Sequence, residues 1–386
     1  MLHRILTAVD EKSHGNSFAV VANLIDWSSA FPRQCPRLGI EAFIKNGVRG
    51  SLIPVLINYF QDRTMSVKWH GCCSSSRKLT GGGPAGATLG LLEYLAQSNN
   101  CADCVDSNDR FRFLDDLSIL EIINLLTIGL TSWDTKQQIP SDISPDQKFL
   151  FPGNLQSQDW LNKICDWTKN QKMLINEQKS NTMIFNFSKD HQFTTRLKLN
   201  DHTLDVIEKT KLLGTVITND LKWDANCTEI IKKANARMLI LKKVASFGAS
   251  VSDMKLIYTL YVRSILEHSA TVWHSSLTEK NRHDLERVQK TALKIILNQR
   301  YKTYENALNT LNLETLNDRR EQLCLKFAIK TSKHPRMKHL FPLNIKQHEM
   351  KTRHQEKYIV QHAHNERLKK SSIIYMQNLL NKHEQT

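Results

Sequence analysis

The spacing of apolar residues changes character near Trp223. Before it, short runs rich in Val, Ile and Phe alternate with stretches of helical spacing; after it, every apolar pattern is helical. Residues 229–244, 253–266, 281–297 and 318–330 all fit a helix, and in the third Leu285, Val288, Ala292, Ile295 and Ile296 share one face. This order predicts an α+β first part and an all-helical second part. The expected boundaries are 1–223, 224–334 and a basic, His-rich tail over 335–386. Charge divides the same way: residues 1–220 hold 23 of the 53 Lys and Arg and 23 of the 38 Asp and Glu, leaving 30 and 15 for the rest. A neutral half joined to a basic half predicts that the basic part meets a polyanion.

Within the first part, 18–25 (FAVVANLI) reads as a buried strand that stops at Asp26. Residues 36–45 read as a helix with Pro36 in its first turn and Gly47 as its stop. A second helix follows over 52–60, then short strands over 65–69 and 76–80 around a turn at Gly71. The glycine-rich loop 81–86 leads into a helix over 88–97. Residues 111–121 read as a hairpin with Asp115 and Asp116 at its tip, and 121–130 as a buried helix. Residues 131–154, with Pro140, Pro145 and Pro152, read as a long loop. A helix over 159–173 and strands over 182–187, 193–199 and 211–218 complete the part. Cys101 and Cys104 form a C-x-x-C without a second pair, so the eight cysteines read as free thiols. No apolar run reaches the about 18 residues of a membrane span. The first ten residues make a poor secretory signal, so a nuclear or cytoplasmic, non-secreted protein is expected.

The chemistry is carried by three carboxylates. Magnesium takes hard oxygen ligands, one or two of them carboxylates, and phosphoryl chemistry with paired ions needs such acids close together at strand ends. If the strand ending at Asp26 neighbours the hairpin carrying Asp115 and Asp116, the three acids converge.

Order and context make this specific. Leu24-Ile25-Asp26-Trp27-Ser28-Ser29-Ala30-Phe31 resembles the first palm motif of LINE-type (non-LTR) retrotransposon reverse transcriptases, an Asp followed by Ala-Phe. Gly82-Gly83-Pro84-Ala85-Gly86-Ala87-Thr88-Leu89 resembles the family's G-x-P-Q-G-S-x-L loop, and Phe113-Leu114-Asp115-Asp116 its aromatic-x-Asp-Asp hairpin. Asn176-Glu177-Gln178-Lys179 resembles its N-x-x-K element. Leu212-Leu213-Gly214-Thr215 through Trp223 resembles the segment that ends the palm. The five motifs stand in the family's order, and the resemblance covers roughly residues 15–330.

The resemblance implies an antiparallel palm sheet with helices on one face, partial fingers, and a helical thumb. It implies an RNA-directed DNA polymerase whose partners are an RNA template, a DNA primer and dNTPs, with no membrane. Asp26, Asp115 and Asp116 would be catalytic, with Asp26 and Asp115 binding two Mg²⁺ ions, or Mn²⁺ in their place. Phe31 would lie under the incoming sugar. Gly83, Pro84, Ala85 and Gly86 would line the nucleotide, Lys179 would stand at the triphosphate, and Leu213 and Gly214 would lie at the primer end. Three departures stand out: Pro32 follows Phe31 where the family usually has an acid, Ala85 replaces the loop glutamine, and only 25 residues precede Asp26. The last implies an N-terminal truncation that removes the fingers and the endonuclease. The other reading is a non-catalytic nucleic-acid-binding remnant that uses the basic helices alone.

Overall fold

The computed structural model describes residues 1–11, 18–84, 86–125, 130–131, 151–152, 155–188, 193–344 and 357–385. The chain forms two units. One comprises Asn16–Ile207 with Met1, the other Leu2–Gly15 with Glu208–Thr386. The division falls earlier than the expected join near residue 223, and the N-terminal helix α1 (Leu2–Asp10) belongs to the second unit.

The first unit is built on β1 (Phe18–Ile25). Helices α2 (Pro36–Lys45), α3 (Ile53–Phe60) and α4 (Thr88–Gln97) follow it. Strands β2 (Arg110–Phe113) and β3 (Asp116–Asn124) come next, then α5 (Gln156–Gln171), β4 (Asn181–Phe185) and β5 (Asp205–Val206). The sheet order is β5-β4-β1-β3-β2. Every pairing is antiparallel except that of β4 with β5, which is parallel.

Its centre is buried on both sides, as a near-continuous apolar run requires. Ala19, Val21 and Ile25 of β1 and Leu117, Ile119 and Ile123 of β3 share a core with Tyr94 of α4 and Leu161 and Ile164 of α5. Val20, Ala22 and Leu120, which alternate with them, are buried as well. A buried Asn23–Thr182 side-chain bond of 2.8 Å ties β1 to β4. Between α3 and α4 runs an exposed two-stranded ribbon, with Thr64 opposite Lys78 and Trp69 opposite Cys72 across the Gly71 turn.

One expected element is wrong. Residues 121–124, read as the start of a helix, continue β3. Ile119, Ile122 and Ile123 are β-branched, and a short apolar run buried on both faces has no period that separates strand from helix. Loop 131–154 lies almost wholly outside the described residues.

In the second unit, β6 (Lys209–Leu212) and β7 (Thr215–Thr218) form a hairpin. Its two-residue turn, Leu213-Gly214, has φ of 46° and 83°. Positive φ at both positions matches the twist of the paired strands, and glycine takes the second at no steric cost. Helices α6 (Asp224–Ser246), α7 (Val251–Ile257), α8 (Glu279–Leu297), α9 (Tyr304–Leu311) and α10 (Leu316–Ser332) follow. Four start on a Ser or Thr whose hydroxyl accepts a backbone N–H three residues on, namely Ser250, Thr278, Thr303 and Thr315. They enclose a core that includes Trp273, Leu285, Ala292 and Leu293.

The expected loose tail is instead packed. Helix α11 (Ser372–Gln385) buries Met376 and Leu380 against Cys324 and Ala328 of α10. Helix α1 docks beside it: Leu6 packs with Ala363, Leu368 and Ile374, and the buried Asp10 carboxylate accepts from the N–H groups of His364 and Asn365 at 2.8 and 2.7 Å. Among the described residues, no helix is long and apolar enough to cross a membrane.

Candidate active site

The register of two strands assembles the acids. Ile25 pairs with Leu117 at the end of the β1–β3 ladder, so the next step sets Asp26 beside Asp116. Phe113 pairs with Asp116 across the β2–β3 hairpin, which leaves Leu114 and Asp115 as its two-residue turn. Leu114 takes φ 54°, a conformation that bulky residues rarely adopt, and so holds the turn tight. Asp26 and Asp116 are half-buried and Asp115 is exposed. Their charges act on one another. Burial, and then the negative charge of Asp115, raise the pKa of Asp26 above the usual carboxylate value, while Lys179 opposes the shift. Burial, then Asp115 and Asp26, raise that of Asp116.

The backbone of Asp26 is fixed by the segment that leads into β4. Its N–H donates to Ser180 Oγ at 3.1 Å, and its carbonyl accepts from Asn176 N–H at 2.8 Å. Ser28 N–H donates to the Leu174 carbonyl at 2.9 Å. The segment 174–180 thus holds the Asp and brings exposed Lys179 within electrostatic reach of it.

Phe31 is half-buried and packs on Tyr94 at 5.1 Å between ring centres. The Tyr94 hydroxyl donates to the carbonyl of Leu114 in the acidic turn at 3.5 Å. Burial and Asp115 raise its pKa, so it remains a neutral donor. Gly83 lies at the Phe31 turn, its N–H donating to the Phe31 carbonyl at 2.9 Å, while Pro84 packs on Gly90 of α4 and Gly86 has open space where a Cβ would stand. Ala85 lies outside the described residues. Leu213 and Gly214 form the hairpin turn of the second unit, where His268 Nε2 stands 3.3 Å from the Leu213 carbonyl oxygen. Sequence reasoning missed Tyr94 and Ser180. Neither residue type carries a signal of its own at these positions, and only the folded contacts reveal them.

Among the described residues, no three His, Cys, Asp or Glu side chains cluster tightly enough to hold a metal ion by themselves. The donor set still suits magnesium: hard carboxylate oxygens at one end of the sheet, with mutual repulsion that a cation relieves. Magnesium needs only one or two of them alongside other oxygen ligands.

A stability test follows from the raised pKa values. A carboxyl whose folded pKa lies above its unfolded one favours the fold below the unfolded pKa, and that contribution is lost as pH rises through the folded value. At neutral pH Asp116 therefore costs stability, and Asp116→Asn removes the cost. The variant is expected to melt slightly higher than wild type at pH 7 without divalent cations, and equally below about pH 3.5. The gap is small because the group is partly solvated and screened. Melting curves at the two pH values check it, and a variant less stable at pH 7 would disprove it.

No family model matches the chain. Over 339 residues, 86% of this chain, it is 21% identical to the Drosophila melanogaster protein named "Probable RNA-directed DNA polymerase from transposon BS". The chain spans about a third (34%) of that relative's length. Among solved structures, apo telomerase from Candida tropicalis is similar with a TM-score of 0.35 and 14% identity, over 81% of this chain and 50% of that one. Telomerase from Candida albicans, in complex with a TWJ fragment of telomeric RNA, gives 0.33 and 11%, over 88% and 52%. The chain is thus similar, over most of its length, to a transposon reverse transcriptase. Its similarity to the transposon polymerase runs through both units.

Proposed function

We propose that this chain is the polymerising core of a LINE-type reverse transcriptase, joining dNTPs to a primer 3′-hydroxyl on an RNA template. In this reading the first unit is palm with partial fingers, and the basic helices of the second are the thumb. The observation that carries it is the β1–β3 register, which puts Asp26 next to the Asp115-Asp116 turn. Asp26 and Asp115 would hold two Mg²⁺, or Mn²⁺, and Asp116 would support them. Bound there, the ions would activate the 3′-hydroxyl and neutralise charge on the reacting phosphate.

The chain's own residues do the rest. The Phe31 ring, steadied by Tyr94, excludes a 2′-hydroxyl by bulk. Lys179 faces the triphosphate and gives a proton to the departing pyrophosphate. Leu213 and Gly214 meet the primer end. Lys and Arg of the second unit grip backbone phosphates, which fixes register without reading sequence.

The test is extension of a DNA primer annealed to RNA, with dNTPs and Mg²⁺. Extension that stops on chelation is expected, and none at any Mg²⁺ or Mn²⁺ concentration would remove the polymerase reading. Duplex binding without extension, weakening steeply with salt, would assign a non-catalytic nucleic-acid-binding role instead.

A further inference from the structure

The glycine loop is fastened at several points to the turn that follows Asp26. Gly82 N–H donates to the Gln34 carbonyl at 2.8 Å, and Gly83 N–H to the Phe31 carbonyl at 2.9 Å. Gly82 has φ 83°, and a side chain there would press on the Pro32 carbonyl oxygen at 3.0 Å. Arg63 straps the arrangement from outside. Its guanidinium donates to the Gly82 carbonyl and, through Nε, to the Phe60 carbonyl at 3.3 Å. It also lies 5.6 Å from the centre of the Phe60 ring.

Two buried polar side chains support this strap from beneath. Gln34 is 1% exposed. Its Nε2 donates to the Gly90 carbonyl at 3.1 Å, while its Oε1 has no partner among the described residues. That oxygen lies 1.6 Å from where a Cβ on Gly83 would stand. Gly83 is therefore glycine because Gln34 fills its side-chain space, a different reason from the ligand approach that the family resemblance suggests. Glu93 is fully buried against Gly39, with neither carboxylate oxygen partnered among the described residues; burial pushes its pKa up to about 7, and Arg63 opposes the shift.

We propose that Arg63 and Gln34 are positioning residues, locking the glycine loop to the Phe31 turn so that both close on one ligand, the sugar and base of a nucleoside triphosphate. The identity of the ligand rests on the polymerase reading; the lock does not. An arginine that bridges two carbonyls holds a loop in one geometry, and reaction rates fall steeply when such geometry slackens.

The test uses the full chain and two readouts, amide hydrogen exchange over residues 80–83 and the dNTP KM and kcat of primer extension. Arg63→Ala is expected to speed loop exchange about tenfold and to raise the dNTP KM about tenfold with a smaller change in kcat. Arg63→Lys is not expected to restore either, because an ammonium lacks the fork that spans both carbonyls. A merely structural defect would instead lower the active fraction, and so kcat, and leave KM alone. Gly83→Ala is expected to loosen the loop likewise, because its Cβ would displace the Gln34 side chain. Loop exchange unchanged in Arg63→Ala, or in a folded Gly83→Ala, would overturn the lock. Should Gly83→Ala fail to fold, the Arg63→Ala arm decides. A wild-type chain that extends no primer, while Arg63→Ala still frees the loop, would uphold the lock and overturn the nucleotide as its ligand.

Discussion

Asp115→Asn combined with Asp116→Asn is expected to lower Mg²⁺-dependent primer extension by about a thousandfold or more, on the order of 4 kcal/mol of barrier. The size follows from what the side chains do. An amide oxygen is a weak, neutral ligand where a carboxylate is a charged one, and Mg²⁺, which gives up its water reluctantly, is bound through carboxylate and phosphate oxygens. Removing both acids of the turn leaves Asp26 alone at the sheet end, opposed by Lys179. The loss should not come from unfolding. Asn is isosteric with Asp, the backbone pairing of Phe113 with Asp116 is untouched, and removal of like charge relaxes the turn. Rates measured at equal folded concentration, with circular dichroism as the fold control, check it. Extension retained within about tenfold of wild type would leave no place for these carboxylates in the chemistry.

What could be read from the sequence divides by the range of the physics involved. Strand β1 was legible because an unbroken apolar run ending in an acid has few other uses, and the β2–β3 hairpin because a pair of acids interrupts an apolar alternation. The hairpin turn at Leu213-Gly214 was read only as part of one strand, since a leucine at positive φ gives no local signal. The packing of the final helix escaped notice for a different reason. It buries Gln377 and Asn381, and these pair with backbone rather than with apolar neighbours. Asn381 both accepts from Tyr358 N–H and donates to the Tyr358 carbonyl, each at 2.9 Å, and Gln377 does the same work between Gln361 and Leu340. Hydrophobic periodicity counts such residues as surface, so the segment 335–386 looked like a tail. In the site, the acids were legible and their neighbours were not. Arg63 reaches Gly82 across 19 positions of chain, a contact that no local pattern encodes.

Glu121 was read as the opening of a helix and proves to cap a different one, which gives the second large effect. It stands in the middle of β3, 9% exposed, opposite Val21 of the central strand. Its carboxylate accepts from Gln156 N–H and Ser157 N–H, each at 2.8 Å, at the start of α5. That helix has no side-chain cap from its own preceding residue, Leu155, so β3 supplies what the local sequence lacks. The bonds are charge-assisted and sit at the positive end of the helix dipole. Glu121→Ala strands two partly buried donors and is expected to cost about 3 kcal/mol, lowering the melting temperature by roughly 10 °C for a unit of this size. Glu121→Gln should recover little, because one amide oxygen meets one donor while its NH₂ faces the other. Glu41→Ala is the control: its i,i+4 pair with Arg37 is exposed and is expected to be worth about 0.3–0.5 kcal/mol. Thermal melts of the three variants at high and low salt separate the cases. A Glu121→Ala chain as stable as Glu41→Ala would mean that α5 is held by its apolar face alone.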